Sequence, residues 1–101
     1  MVKPEKYDAP LFVVYDTNDD RVRKKIFTAC EDYGLKSVQY SVFFGYLDSI
    51  RSKELYHRIR LLLDEDCGNF ILIPVGKREL KKTKASGKAL GAGQIPMVRF
   101  I

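Results

Sequence analysis

Apolar residues along this chain follow two periods, and the alternation between them lays out the elements. Leu11-Phe12-Val13-Val14-Tyr15 is an unbroken apolar run of β-branched and aromatic residues, which predicts a buried strand over 11–15. It ends on a carboxylate, Asp16. Val22, Ile26, Phe27, Ala29, Cys30 and Tyr33 then recur at helical spacing, predicting a helix over about 20–33. Asn18, Asp19 and Asp20 each suit its N-cap. Gly34 and Leu35 read as the αL residue and apolar contact of a Schellman stop. Residues 36–47 return to a strand-like composition, long for one strand. A reversal at Tyr40-Ser41 divides them into strands over 37–40 and 42–47, and Gly45 inside the second predicts a bulge or a close backbone approach. Leu55, Ile59, Leu62 and Leu63 mark the inner stripe of a second helix over about 49–64, capped by Asp48 or Ser49, with Glu54 and Arg58 as an i,i+4 pair. A polar turn leads to a further buried strand over 70–75. Pro74 cannot donate to a ladder, so that end lies at a sheet edge or exits the sheet.

Residues 1–10, with Pro4 and Pro10, read as a loose leader. Residues 76–93 are rich in Gly, Lys and Ala and read as a mobile connection. Residues 94–101, with Ile95, Met97, Val98, Phe100 and Ile101, read as a terminal strand too apolar to stand in water, which is expected to join a sheet edge, that of a partner subunit. The order is β-α-β-β-α-β plus one strand. It predicts an α+β, ferredoxin-like fold: one antiparallel sheet with two helices on one face, in a single domain with its core over 11–75.

Composition narrows the function classes. The chain is 46% hydrophobic and 31% charged, as ordinary globular domains are. The start of the chain lacks an apolar h-region, and no run approaches the length of a membrane span, so a cytoplasmic protein without membrane contact is expected. Cys30 and Cys67 form no CxxC pair and have no His at metal spacing. Cys30 falls on the apolar helix stripe; Cys67 sits in a turn.

The net charge is +5, and residues 77–88, with six cations against Glu79 alone, hold all of it. Lys81, Lys82 and Lys84 in that segment suit either a phosphate backbone or a solvated loop. The first helix is charged against its dipole. Arg21, Arg23, Lys24 and Lys25 crowd its first turns, and Glu31 and Asp32 close it. An anionic partner near 21–25 accounts for the basic end; a solvated basic face capped by Asp19 is the alternative. Phe43, Phe44 and Tyr46 suit base stacking or the core. His57, alone of its kind, lies among charged neighbours and is given no catalytic role.

Val-Val-Tyr15-Asp16, the Asp-rich linker, the basic helix, and Val38-Gln39-Tyr40-Ser41-Val42-Phe43 with Gly45 together resemble one family across 11–75. It is the small CRISPR-associated nuclease and adaptation protein, the second of the two core spacer-acquisition proteins. The resemblance implies a homodimer that joins its sheets, often through the terminal strands. It implies, for some members, metal-dependent cleavage of single-stranded RNA or double-stranded DNA, and a role bridging CRISPR integrase subunits and holding foreign DNA during spacer insertion. It makes Asp16 the catalytic residue and metal ligand, with Mg²⁺ or Mn²⁺ as the ion. Tyr15, Arg23 and Phe43 match its functional positions, Lys25 replaces an arginine, and Arg21 and Lys36 add cations that could meet nucleic acid. Two positions depart from the pattern. Ser37 stands where many members carry a basic residue, and Phe44 where many carry Glu.

One carboxylate per chain cannot build an all-protein magnesium site. Two Asp16 side chains meeting at a two-fold axis would supply the one or two carboxylates that Mg²⁺ commonly takes. For Asp16 the alternative is a strand terminus bonded to its own turn. For the whole chain the alternatives are a nuclease-inactive subunit that bridges DNA in the integration complex, and a stand-alone RNA-binding ferredoxin-like domain. Val42-Phe43-Phe44-Gly45-Tyr46 does not match the RNP1 pattern that the last would need.

Overall fold

The computed structural model describes residues 7–63 and 67–86 and the backbone of Arg99–Phe100. Its elements are β1 (Ala9–Thr17), α1 (Asp20–Asp32), β2 (Lys36–Gln39), β3 (Val42–Leu47), α2 (Ser49–Leu62), β4 (Gly68–Pro74), α3 (Lys77–Lys82), β5 (Lys84–Ala85) and β6 (Arg99–Phe100). The first four strands form one antiparallel sheet in the order β2-β3-β1-β4. This is the ferredoxin-like arrangement that the β-α-β-β-α-β order predicts.

Local chemistry sets the ends of α1. The Asp19 carboxylate accepts from the amides of Arg21 (2.9 Å) and Val22 (3.1 Å), two of the donors a helix start leaves free. At the other end Gly34 takes φ 80°. The Leu35 amide then reaches the Cys30 carbonyl at 3.1 Å, and the Gly34 amide reaches that of Glu31 at 2.9 Å. That is the Schellman pattern, and Leu35 buries itself as its apolar contact. The charge on this helix also finds a local explanation. Asp20 pairs with Arg23, and Asp32 pairs with Arg58 of α2 at 2.9 Å, so one misplaced acid is spent on joining the helices.

Strand alternation gives the sheet two faces. Leu11, Val13 and Tyr15 of β1 pack with Ile26, Ala29 and Cys30 of α1 and Leu55 and Ile59 of α2. Phe43 and Leu47 of β3 share this core. Gly45 is where β3 meets Leu35 closely: a Cβ there would overlap the Leu35 side chain and lie 3.1 Å from its Cα, which is the close approach its place in the strand predicted. On the opposite face Phe12, Val42, Phe44, Tyr46 and Val38 form a second cluster, closed by Leu80 and Val75.

Three expectations need correction. The segment 76–93 is not a featureless connection, because 77–82 forms α3. Its Lys, Arg and Glu residues are good helix formers, and one apolar side chain, Leu80, is fully buried against the second face. A single anchor among lysines leaves no periodic stripe to read. The strand expected over 70–75 is not buried on both sides, because β4 is the sheet edge. Ile71 is 58% and Ile73 40% exposed. The leader is shorter than expected: β1 starts at Ala9, Pro10 is buried, and the Arg51 guanidinium donates to both carboxylate oxygens of buried Asp8 at 3.0 Å. Arg99–Phe100 pairs in parallel with Lys84–Ala85 of the same chain. The rest of the terminal strand expected over 94–101 lies outside the described residues.

Candidate metal and nucleic-acid site

The carboxyl end of β1 is where the candidate residues converge. Alternation sends Tyr15 and Thr17 toward the helices and assigns Asp16 to the other face, with Phe12 and Val14. Asp16 is exposed and sits across from Asn69 of β4. Among the described residues its carboxylate has no hydrogen-bond or ion-pair partner. The turn that follows is held without it. The Thr17 hydroxyl donates to the Cys67 carbonyl (2.5 Å) and accepts from the Asp19 amide (3.2 Å), and the Asn18 amide reaches the Cys67 carbonyl at 3.3 Å. This answers the strand-terminus alternative for Asp16: Thr17 and Asp19 do that task. No group of three or more His, Cys, Asp or Glu side chains gathers among the described residues, so Asp16 acts with chemistry from outside the described residues or not at all.

Tyr15 and Phe43 lie inside the molecule, at 4% and 1% exposure, and their rings stack with centroids 6.3 Å apart. Phe27 meets Phe43 edge-on at 4.9 Å. A base has no access to the Phe43 ring here; Phe43 backs the site rather than lining it. Burial, with smaller contributions from Cys30 and Tyr40 that Arg23 partly opposes, pushes the Tyr15 phenol up to about 12.

Arg23 ties the site together. One guanidinium nitrogen pairs with Asp20, another donates to the Thr17 carbonyl at 2.5 Å, and the plane lies 5.9 Å from the Tyr40 ring centre. It is a brace between α1, the end of β1 and the tip of the β2–β3 hairpin before it is a phosphate ligand. Arg21 is exposed on the first turn of α1. Lys25, with Lys24, Thr28, Arg58 and Leu62, lines an open cleft of about 440 Å³ between the two helices. Lys36 is not part of this group. It pairs in register with Phe44, which pairs with Phe12, so it stands two strands across and four residues along from Asp16. Lys81, Lys82 and Lys84 are exposed on α3 and β5, Lys81 and Lys82 in the last turn where the dipole favours cations. The sequence reading missed two neighbours of the site, Tyr40 and Asn69. Tyr40 was visible as an aromatic in a turn, a place where Asn, Asp or Gly is usual.

A carboxylate without a described partner at the end of the inner strand β1 of a ferredoxin-like sheet, beside a basic helix, is an arrangement able to meet a hard metal ion and a phosphate backbone. The chain belongs to the family described as CRISPR associated protein Cas2, whose model matches residues 10–83. It is 44% identical over 73 residues to the CRISPR-associated endoribonuclease Cas2 of Desulforudis audaxviator, covering 72% of this chain and 69% of the relative. Among solved structures, a hypothetical protein from Thermus thermophilus superposes with a TM-score of 0.64 at 36% identity, covering 68% of this chain and 83% of that one. Streptococcus pyogenes Cas2 shares the fold, with a TM-score of 0.66 at 24% identity, over 77% of this chain and 99% of that one. No helix among the described residues is long and apolar enough to cross a membrane.

Proposed function

We propose that the chain is a CRISPR adaptation protein that works as a homodimer and cleaves phosphodiester bonds, in single-stranded RNA or duplex DNA, at a centre made by two Asp16 side chains. The observation that carries this reading is the exposed Asp16 carboxylate without a partner among the described residues, at the end of a sheet face that the described residues cover only in part. The relative from Desulforudis audaxviator carries endoribonuclease in its name, which supports the chemistry. The β4 edge and its exposed Ile71 and Ile73 support a second copy as the cover, because a two-fold contact pairs the same patch of both chains and lets a residue near the axis meet its own mate.

Asp16 offers one hard oxygen ligand per chain, and the donor set fits Mg²⁺ or Mn²⁺ once two chains contribute and water and phosphate complete it. Such an ion, when bound, polarises the scissile phosphate and lowers the pKa of a bound water. The chain's own residues do the rest. Arg21, Lys24 and Lys25 draw the backbone toward the end of β1 by charge. Arg23 holds the Thr17 carbonyl and so fixes the turn behind Asp16. Tyr15, buried beneath the end of β1, is a wall of the site.

A second reading, a nuclease-inactive subunit that bridges DNA for an integrase partner, draws on Phe44. It is fully buried in the position where many family members carry Glu, so no second acid comes from there. Cleavage of RNA and of duplex DNA by wild type and Asp16→Asn, purified in parallel, separates the two. The nuclease reading predicts Mg²⁺-dependent cleavage that Asp16→Asn abolishes while binding stays intact or rises. Equal cleavage by both proteins contradicts it.

A further inference from the structure

Tyr40 stands at the tip of the β2–β3 hairpin, 77% exposed. Its place there is built rather than incidental. Ser41, the other tip residue, takes φ 60°, a conformation that costs a residue other than glycine roughly 1–2 kcal/mol. The tip is held nonetheless, because the Tyr15 amide donates to the Ser41 carbonyl at 3.1 Å. That bond fixes Tyr40 beside the Tyr15–Asp16 end of β1. Arg23 lies 5.9 Å from the ring centre, itself anchored on Asp20 and on the Thr17 carbonyl. One side of the ring thus rests on a cation that is locked in place, and most of the remaining ring surface is open.

We infer that Tyr40 is a stacking platform for an unpaired nucleobase, holding the nucleotide next to the phosphate that Asp16 serves. This rests on the proposed nucleic-acid role of the Asp16 end and adds to it a selection for single-stranded over duplex substrate. Every base has a π-face, and stacking on one aromatic side chain is sequence-tolerant. A cation on one side of the ring and a base on the other is a compatible sandwich. A protein partner fits less well. Gln39 and Ser37 near the tip are exposed and polar, whereas a docking surface for protein calls for a contiguous apolar patch.

The chain contains no tryptophan, so Tyr40→Trp introduces a unique reporter. In an Asp16→Asn background, which keeps the strand intact, its emission should be quenched by a short oligothymidylate and left unchanged by inorganic polyphosphate. Tyr40→Ala in the same background should bind that oligonucleotide roughly tenfold more weakly and duplex DNA as before, and Tyr40→Phe should retain the affinity. Quenching that is absent while the oligonucleotide is bound overturns the inference. So does unchanged affinity in Tyr40→Ala, or a wild-type chain that binds no single strand. If Tyr40→Ala changes only self-association by light scattering, the tip is a protein contact and the inference is wrong. These are binding measurements without cleavage, so they decide the stacking role even where Asp16→Asn proves as active as wild type and the metal reading fails.

Discussion

The two faces of the sheet are built from the same kinds of residue and end up in different states. On the helix side, Val13, Ile26, Ala29, Leu55 and Ile59 are fully buried, and two amphipathic helices close the layer. On the other side, a helix of six residues sets one buried side chain, Leu80, against Val38 and Phe44, with Phe12, Val42, Tyr46 and Val75 packed around them. Toward β4, Ile71 and Ile73 remain exposed, and Asp16 lies on this same face. The first face is complete within one chain. Among the described residues the second is left open toward β4, and Asp16, the metal ligand proposed above, lies on that same face. The larger buried core lies on one side of the sheet, and the proposed chemistry belongs to the other.

Substitutions that respect or violate this division separate the two roles. The largest effect belongs to the closed face. Ile59→Ala removes a fully buried side chain and should cost about 2–5 kcal/mol in urea unfolding. A loss well under about 1 kcal/mol would mean that the helix layer is not the main core. On the open face, Ile71→Asp with Ile73→Asp should turn a dimer into a folded monomer by light scattering, with circular dichroism unchanged. A dimer that survives both changes would show that the β4 edge is not where the second copy sits.

Titration sharpens the same contrast at smaller scale. Burial pushes the Cys30 thiol up from 9.0 to about 12, with Arg58 opposing, and the Tyr15 phenol from 10.0 to about 12. Both groups are neutral in the fold and ionise more readily once unfolded. Their contribution is therefore fully present below pH 9 and is lost as pH rises from about 9 to 12. Unfolding free energy measured across that window should fall, and that of Tyr15→Phe should fall less steeply. An equal slope in the variant would show that the phenol is not shielded. The smallest change is expected from the basic segment. Neutralising Lys81, Lys82 and Lys84 together should weaken binding to all duplex sequences alike. The slope of log K against log salt should flatten by roughly 0.9 for each phosphate that is no longer neutralised. A wild-type slope would mean that these lysines are solvated and that the anion site lies at 21–25.

Much of this division can be read in the residues themselves. Period alone locates β1, α1, the hairpin and α2, because each has a stripe or an unbroken run, and Gly34, Asp19 and Asp48 set ends by local chemistry that tertiary context does not override. The Tyr40-Ser41 reversal was legible because the strand-like run is too long. What sequence could not supply was that the edge marked by Pro74 runs the length of β4 and leaves Ile71 and Ile73 exposed, since an apolar run such as Phe70-Ile71-Leu72-Ile73 looks the same at an edge and at the centre. α3 escaped because a single leucine carries it. At the site, Asp16 was legible as a carboxylate closing a strand. Its lack of a partner among the described residues was not, because that depends on Thr17 and Asp19 satisfying the turn. Arg23 read as part of a basic helix end facing an anionic partner, and only packing brings it onto Thr17, Asp20 and Tyr40.

The central claim is that one centre needs Asp16 from two chains. Wild type and Asp16→Asn, differently tagged and refolded together in varied proportion, test it by the dependence of Mg²⁺-dependent cleavage on the wild-type fraction. A shared centre predicts activity that follows the square of that fraction, so that an equal mixture retains about a quarter of the wild-type rate. A linear fall, with about half the rate retained in the equal mixture, would mean that each chain cuts with its own Asp16 and would contradict the shared centre.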